Sequence, residues 1–144
     1  GLFADTFTVF VTDANGCIES AEVIVDSITA IKLAFYSGIS PNLDDINDSW
    51  YIVGIDSFPD NNVTIYNRHG RLVWERKNYN NSKNTVWKGT NRNGRRIPDG
   101  TYFFLIEITN TTGRQIEVTK NGNPEPVIYE DEKVIIVGWV EIMR

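Results

Sequence analysis

Short runs of β-forming residues follow one another along the whole sequence, and no stretch of ten residues has the 3.6-residue apolar period of a helix. Glycine, asparagine, aspartate and proline separate these runs, as they do in turns between strands. Short strands at regular spacing are typical of a sandwich, so we predict an all-β chain with an Ig-like antiparallel β-sandwich. The main runs lie near residues 31–35, 50–54, 62–67, 71–76, 84–88, 101–109, 115–120 and 134–143.

The amino-acid composition argues against several classes of function. With 144 residues, 41% of them hydrophobic and 12% aromatic, the chain is long enough to form one good core. Its net charge of −5 argues against nucleic acid and anionic membrane surfaces, because both select basic patches. No apolar run reaches the roughly 20 residues that a membrane-spanning helix needs. The single cysteine, Cys17, cannot form an internal disulfide, so we expect a reduced thiol or a partner upstream.

The first 26 residues are predicted to form a separate β-hairpin. Apolar and polar residues alternate on both sides of Asn15-Gly16, a pair that favours the positive φ angles of a tight turn. A two-stranded hairpin cannot bury its own apolar face. We therefore expect residues 1–26 to be a fragment that packs on other structure or is poorly ordered, residues 27–34 a linker and first strand, and residues 35–144 the main domain.

Several motifs follow one another in the main domain. The first is a polar loop at residues 40–50, S-P-N-L-D-D-I-N-D-S-W, which is rich in residues that form Asx turns. The second is N-R-H-G at residues 67–70, a hairpin turn whose glycine is expected to be left-handed. W-K-G at residues 87–89 and P-D-G-T-Y at residues 98–102 come next, and an apolar strand at residues 138–144 ends in arginine.

Taken in this order, the motifs resemble the gliding-motility-associated C-terminal domain of Bacteroidota, the type B sorting signal of the type IX secretion system. The family pattern reads roughly S-P-N-G-D-G-x-N-D-x-W, V-T-I-x-N-R-x-G, W-D-G and P-D-G-T-Y-x-Y, and it ends with an apolar strand and arginine. The resemblance covers about residues 35–144, and the chain is expected to end where the family ends. V-T-D-A-N-G-C at residues 11–17 resembles a phrase of Ig-like repeats in Bacteroidota adhesins, which implies that residues 1–26 are the C-terminal fragment of a preceding repeat.

The chain departs from this family pattern at four motif positions. Leu43 and Asp45 stand where the family has glycines, Lys88 replaces the aspartate of W-D-G, and His69 replaces a frequent aromatic residue. An insertion-like segment, residues 121–133, also precedes the last strand. These departures bear on a shared ion site more than on the fold.

Two predicted strands, residues 101–109 and 134–143, are apolar on both faces. On the first of them, Phe103 and Leu105 point away from the expected core. A strand that is apolar on both faces is either covered on both or forms a contact surface. The cover is predicted to be the N-terminal hairpin, residues 121–133 or another protein, and the resemblance favours another protein.

We expect the partner-binding surface to lie mainly on the last strand. Aromatic and arginine side chains dominate interface energies, so Trp139 is the expected anchor and Arg144 a terminal charge. An unpaired edge of this strand could also add to a partner's sheet. The predicted partner-binding residues are Val134, Ile135, Val137, Trp139, Glu141, Met143 and Arg144 on the last strand, with Phe103 and Leu105.

The 42–48 loop has the oxygen-rich composition that Ca²⁺ prefers, with Asn42, Asp44 and Asp48 as candidate ligands. The glycine and the terminal glutamate of an EF-hand loop are missing, however. Asx turns and strand caps explain the same residues without an ion, and this explanation is the favoured one. We therefore predict no cofactor, and a structural calcium ion is the alternative.

The sequence contains no constellation of residues that indicates catalysis. The one histidine, His69, falls in a hairpin turn and not in the packed setting that a general base needs. Five arginines form either a basic patch or ordinary solvated loop charge. We predict that the chain is not an enzyme. The arginines are Arg68, Arg71, Arg92, Arg95 and Arg96.

The resemblance implies a sorting domain that the type IX translocon recognises. Its cargo would be a large SprB-like gliding adhesin, exported through the periplasm and across the outer membrane to the cell surface. A PorP-type outer-membrane barrel is the implied partner that holds the exported protein there. The alternative is a carbohydrate-binding or adhesive module, in which Trp74 or Trp87 would line a groove near the arginine-rich loop.

Overall fold

The computed structural model describes residues 4–12, 14–26, 30–109, 111 and 114–144. The chain divides into two compact units, Gly1–Ala30 and Ile31–Arg144. Within the described residues, no helix has the length and apolar character needed to cross a membrane.

The first unit contains the predicted hairpin. Strands β1 (Ala4–Thr12) and β2 (Ile18–Asp26) pair antiparallel in unbroken register. Gly16 has a φ of 82°, which confirms the expected turn. The structure does not describe the side chains that would test the predicted apolar alternation of this hairpin. Residues 27–29 of the predicted linker also lie outside the described residues. That the hairpin ends a preceding repeat stays a prediction.

The second unit is built from ten strands, most of them short, and one 3₁₀ turn (Ile55–Ser57). Their alternating burial follows the period of two expected for strands with one face on a core. The strands are β3 (Ile31–Phe35), β4 (Gly38–Ile39), β5 (Ile52–Val53), β6 (Asn61–Tyr66), β7 (Leu72–Lys77), β8 (Gly100–Ile108), β9 (Ile116–Lys120), β10 (Asn123–Glu125), β11 (Ile128–Glu130) and β12 (Lys133–Ile142).

These strands form two sheets that pack as a sandwich, which confirms the predicted fold class. One sheet has the order β10-β9-β3-β5, and the other has the order β11-β12-β8-β6-β7 with β4 added to β12. Most neighbours are antiparallel, but β3 pairs with β9 and β4 pairs with β12 in parallel. The chain therefore crosses from one sheet to the other between β3 and β4.

An aromatic cluster lies at the centre of the core. Trp50, from the polar-loop motif, stacks against Phe35 and Phe104 at ring-centroid distances of 5.6 and 4.8 Å. Its backbone N–H donates to the carbonyl of Trp87, the tryptophan of the W-K-G motif, at 2.9 Å. Both indole rings are buried, so these two motif tryptophans serve the core.

The prediction of a strand at residues 84–88 is wrong. Residues 83–85 form a turn, because the backbone N–H groups of Thr85 and Val86 both donate to the carbonyl of Ser82. The Thr85 hydroxyl adds a bond to the carbonyl of Asn80 at 2.6 Å. Of residues 84–88, only Trp87 takes part in a β-bridge, an isolated one to Trp50.

Residues 121–133 fold back onto the domain as β10, β11 and their turns. Strand β10 extends one sheet and β11 extends the other. This segment does not cover the outer face of β8 and β12, because Phe103 and Trp139 keep 47% and 40% of their surface exposed. The segment therefore lengthens both sheets and does not form a lid.

Candidate functional site

The outer face of β8 and β12 carries an exposed apolar patch. The two strands are antiparallel and place Trp139 opposite Phe103, and Val137 opposite Leu105. The alternate residues of both strands, such as Phe104 and Ile136, are buried. We call the set Phe103, Leu105, Ile135, Val137 and Trp139 the outer patch.

Neighbouring strands extend this patch in both directions. On β6, Tyr66 lies beside Phe103, and on β11 the half-exposed Ile128 lies beside Ile135. Directly opposite side chains in antiparallel strands lie close enough to form one continuous surface. Exposed apolar surface of this kind marks interaction sites.

The other predicted partner-binding residues fall into different environments. Val134 is buried, so it supports the core side of β12 and lies off the exposed face. Met143 is exposed beyond the strand end. Glu141 is partly exposed and accepts a hydrogen bond from the Thr101 hydroxyl at 3.4 Å.

Strand β12 has little unpaired edge. Strand β8 pairs along one side, and on the other side β11 pairs at Lys133–Ile135 positions while β4 pairs at Glu141 and Ile142. In the described part of the chain, only residues 136–140 lack a strand on that second side. A partner strand could add there only over a few residues, so the side chains of the outer patch are the larger binding surface.

A lysine from the other sheet lies against Trp139. The Lys120 ammonium is 4.9 Å from the centre of the indole ring and 3.3 Å from the Glu125 carboxylate. A cation over an indole face stabilises the pair by about 0.5–1 kcal/mol at an exposed site. This contact fixes the ring of Trp139 without covering it.

Arg144 is held within the domain. Its guanidinium forms an ion pair with Asp99 at 2.5 Å and donates to the carbonyls of Ile97 and Gly89 at 2.9 and 3.2 Å. Its backbone N–H also donates to Asp99 at 2.9 Å. These bonds, the backbone bond foremost, hold the pKa of Asp99 below its ordinary value. Arg144 thus ties the end of β12 to the P-D-G and W-K-G motifs.

The 42–48 loop is held by its own side chains. The Asp48 carboxylate accepts backbone N–H groups of Asn42, Leu43 and Asp45 at 2.8, 2.9 and 2.9 Å. Burial opposes the charge of Asp48, but these donors outweigh it and lower its pKa. Asp44 accepts from the backbone of Ile46 at 2.9 Å. This is the network of Asx turns expected from the sequence.

The calcium alternative stays a prediction. No group of three or more His, Cys, Asp or Glu side chains comes together as a possible metal site in the described ranges. The hydrogen bonds of Asp48 account for the shape of the loop without an ion.

Two of the five candidate arginines contact neighbouring side chains. Arg92 forms an ion pair with Glu75 at 3.1 Å, and the side chain of Arg68 lies beside His69. His69 is exposed in its turn, where its backbone N–H donates to the Asn67 side chain. The two tryptophans of the adhesive alternative do not line a groove, because Trp87 is buried and Trp74 packs against the core.

Sequence reasoning missed two contacts of this site. The pairing of Lys120 with Trp139 joins different sheets, and no local pattern indicates it. The bond between Asp99 and Arg144 joins two motifs that the sequence did single out, P-D-G and the terminal arginine. An ion pair between these two motifs could therefore have been predicted from their opposite charges.

Comparison with known protein families agrees with the motifs described above. The model of the family described as CHU_C Type IX secretion signal domain matches residues 33–122. The match begins within β3 and extends to the turn after β9. No curated protein matches this chain.

Proposed function

This chain belongs to the CHU_C Type IX secretion signal domain family, and we propose that it is the sorting domain of a large SprB-like gliding adhesin. The family match over residues 33–122 is the observation that carries the sorting role, and the resemblance of residues 11–17 to adhesin repeats supports the adhesin cargo. A type IX secretion signal directs export to the cell surface, and the family is not an enzyme family. The work of the domain is therefore binding.

The outer patch is the proposed recognition surface. It combines two aromatic side chains, Phe103 and Trp139, with aliphatic neighbours on a rigid pair of strands. Aromatic groups at the centre of an apolar surface contribute most to binding energy, since little side-chain entropy is lost when a rigid ring is covered. Arg144 acts indirectly in this proposal, because its bonds hold the end of β12 in place.

The proposed partners are the translocon and a PorP-type outer-membrane barrel. The domain first engages the translocon, and the exported adhesin then stays associated with the outer membrane through the barrel. The outer patch supports a protein partner, because an exposed apolar surface of this kind marks an interaction site. The adhesive alternative has less support in its predicted form, a groove lined by Trp74 or Trp87, because Trp87 is buried and Trp74 packs against the core.

Capture from outer membranes tests the recognition surface. The 144-residue chain is immobilised and exposed to detergent-solubilised outer membranes of a bacterium with a type IX system. We expect the wild type to capture a barrel protein, and Trp139→Ala and Phe103→Ala each to reduce capture at least about tenfold, the loss typical of a hot-spot residue.

Tyr51→Ala is the matched control, because Tyr51 is a similarly half-exposed aromatic residue outside the outer patch. Circular dichroism establishes that every variant is folded. Equal capture by wild type and by a folded Trp139→Ala variant would exclude the outer patch as the recognition surface.

A further inference from the structure

A cleft of about 490 Å³ opens beside the 42–48 loop, away from the residues of the outer patch. Its apolar lining includes Tyr51 and Leu43, which are 51% and 81% exposed. Lys83, Lys88 and Arg96 also line it. The volume is large enough for a ligand of two or three sugar rings.

No ion pair among the described residues involves a cation of this cleft, since those ion pairs join Arg92 to Glu75, Lys120 to Glu125 and Arg144 to Asp99. Two carboxylates, Asp45 and Asp48, also line the cleft, and Arg96 lies close enough to Asp48 to interact with its charge. Three cations therefore stand beside two carboxylates. In a chain of net charge −5, this local excess of positive charge favours an anionic ligand.

The other polar groups of the cleft favour a sugar over a peptide. Asp45, Asn47 and Ser49 line the same wall, and carboxylate and amide oxygens accept hydrogen bonds from hydroxyl groups. The exposed ring of Tyr51 offers a flat apolar surface for the C–H face of a pyranose. A uronic acid provides a carboxylate, hydroxyl donors and an apolar ring face together, whereas an acidic peptide provides carboxylates and backbone N–H donors but no flat C–H face for Tyr51.

Two residues of the cleft wall have unusual backbone angles. Leu43 and Asp45 have left-handed φ angles of 71° and 63°, a region that favours glycine. Backbone strain of this kind clusters at functional sites. The wall of the cleft therefore combines strained backbone with an exposed apolar group and charges of both signs.

We propose that this cleft binds an acidic oligosaccharide built of uronic acids. Lys88 and Arg96 hold the carboxylate, Asp45 accepts from ring hydroxyls, and Tyr51 stacks on the ring. This binding function is independent of recognition through the outer patch.

Titration of the ¹⁵N-labelled 144-residue chain, followed by NMR, tests the proposal. The probes are tetragalacturonate, tetraglucuronate and an alginate tetramer, with maltotetraose as the neutral sugar and tetraglutamate as the acidic peptide. We expect at least one acidic sugar to shift amides at residues 43–51, 83–90 and 94–96, and binding to weaken with added salt.

Lys88→Gln and Arg96→Gln are each expected to weaken this binding about tenfold, since each removes a charge-assisted hydrogen bond. Lys77→Gln, at an exposed lysine of β7 outside the cleft, is expected to leave it unchanged. Equal binding of maltotetraose, preferential binding of tetraglutamate, or no shift with any acidic sugar at millimolar concentration would each overturn the proposal.

Discussion

At the scale of single residues, the backbone of the 42–48 loop is the clearest departure from ordinary geometry. Leu43, Asp45 and Asn47 have φ angles of 71°, 63° and 54°. Asparagine and aspartate tolerate this region because their short side chains bond locally, but leucine gains nothing from it. Leu43 is also exposed, so its side chain returns no packing energy to the fold.

We therefore predict that Leu43→Gly raises the free energy of unfolding by about 0.5–1 kcal/mol, because glycine adopts positive φ without strain. Ile46→Gly, at an exposed position without positive φ, should lower it by a similar amount through lost backbone entropy. Urea denaturation of both variants measures the difference. A loss of stability in Leu43→Gly equal to that in Ile46→Gly would show that the positive φ of Leu43 does not strain the folded backbone.

The Arg144–Asp99 ion pair makes a second residue-scale prediction. Arg144→Ala should lower the free energy of unfolding at pH 7 by about 1–2 kcal/mol, because the guanidinium bonds a carboxylate and two carbonyls. Arg95→Ala, at an exposed arginine, should change it by less than about 0.5 kcal/mol.

The effect of Arg144→Ala should also depend on pH. The folded-state pKa of Asp99 is lowered, so its stabilisation is present above the unfolded-state pKa of about 3.9 and is lost as the pH falls through the folded value. The difference between wild type and Arg144→Ala should therefore shrink below about pH 4. A difference that stays constant from pH 7 to pH 2.5 in urea titrations would contradict this account.

At the scale of elements, strand β12 depends on close contact at Gly138. This glycine lies opposite Phe104 on β8, and a Cβ atom there would come within 2.7 Å of the phenyl ring. The ring is itself fixed by Phe35 and Trp50, at centroid distances of 5.1 and 4.8 Å. The ring therefore has little room to move away.

Gly138→Ala should accordingly destabilise the domain by about 1–3 kcal/mol through overpacking. Gly38→Ala is the control, because a Cβ atom there comes close only to the flexible end of Met143, at 3.2 Å, and meets the carbonyl oxygen of Glu141 at an ordinary contact distance of 3.8 Å. Thermal unfolding of both variants gives the comparison. Equal melting temperatures would show that the contact between β12 and the ring of Phe104 is looser than described.

Sequence patterns predicted the local parts of these elements and missed the non-local ones. Alternation of apolar residues identified β8 and β12 and put Phe103 on the face away from the core. The same alternation places Val134 on the buried face of β12, together with Ile136 and Val140. Val134 could therefore have been left out of the predicted partner-binding residues. The parallel pairing of β3 with β9 joins strands about eighty residues apart, and no local pattern encodes it.

The candidate sites divide in the same way. The Asx-turn loop was predictable, because each bond spans only a few residues and depends on the type of side chain. The exposure of Phe103 and Trp139 was not, since residues 121–133 could have folded over them. The cleft with Lys88 and Arg96 needed the structure, because three separate loops form it.

At the scale of the whole molecule, the domain presents two surfaces with different chemistry. The outer patch is apolar and lies on paired strands, whereas the cleft is charged and lies among loops. Substitutions in one surface should therefore leave the other working. Trp139→Ala should still bind acidic sugars, and Tyr51→Ala should still be captured by outer-membrane proteins.

Delivery of a reporter to the cell surface tests the central claim most directly. The 144-residue chain is fused after a secretory leader and a fluorescent reporter, in a host with a type IX system and in a strain that lacks the translocon. The wild type and Tyr51→Ala are predicted to place the reporter at the surface only in the first host, and Trp139→Ala to leave it in the periplasm. Surface delivery of a folded Trp139→Ala fusion would refute recognition through the outer patch, and retention of the wild type would contradict its action as a sorting signal.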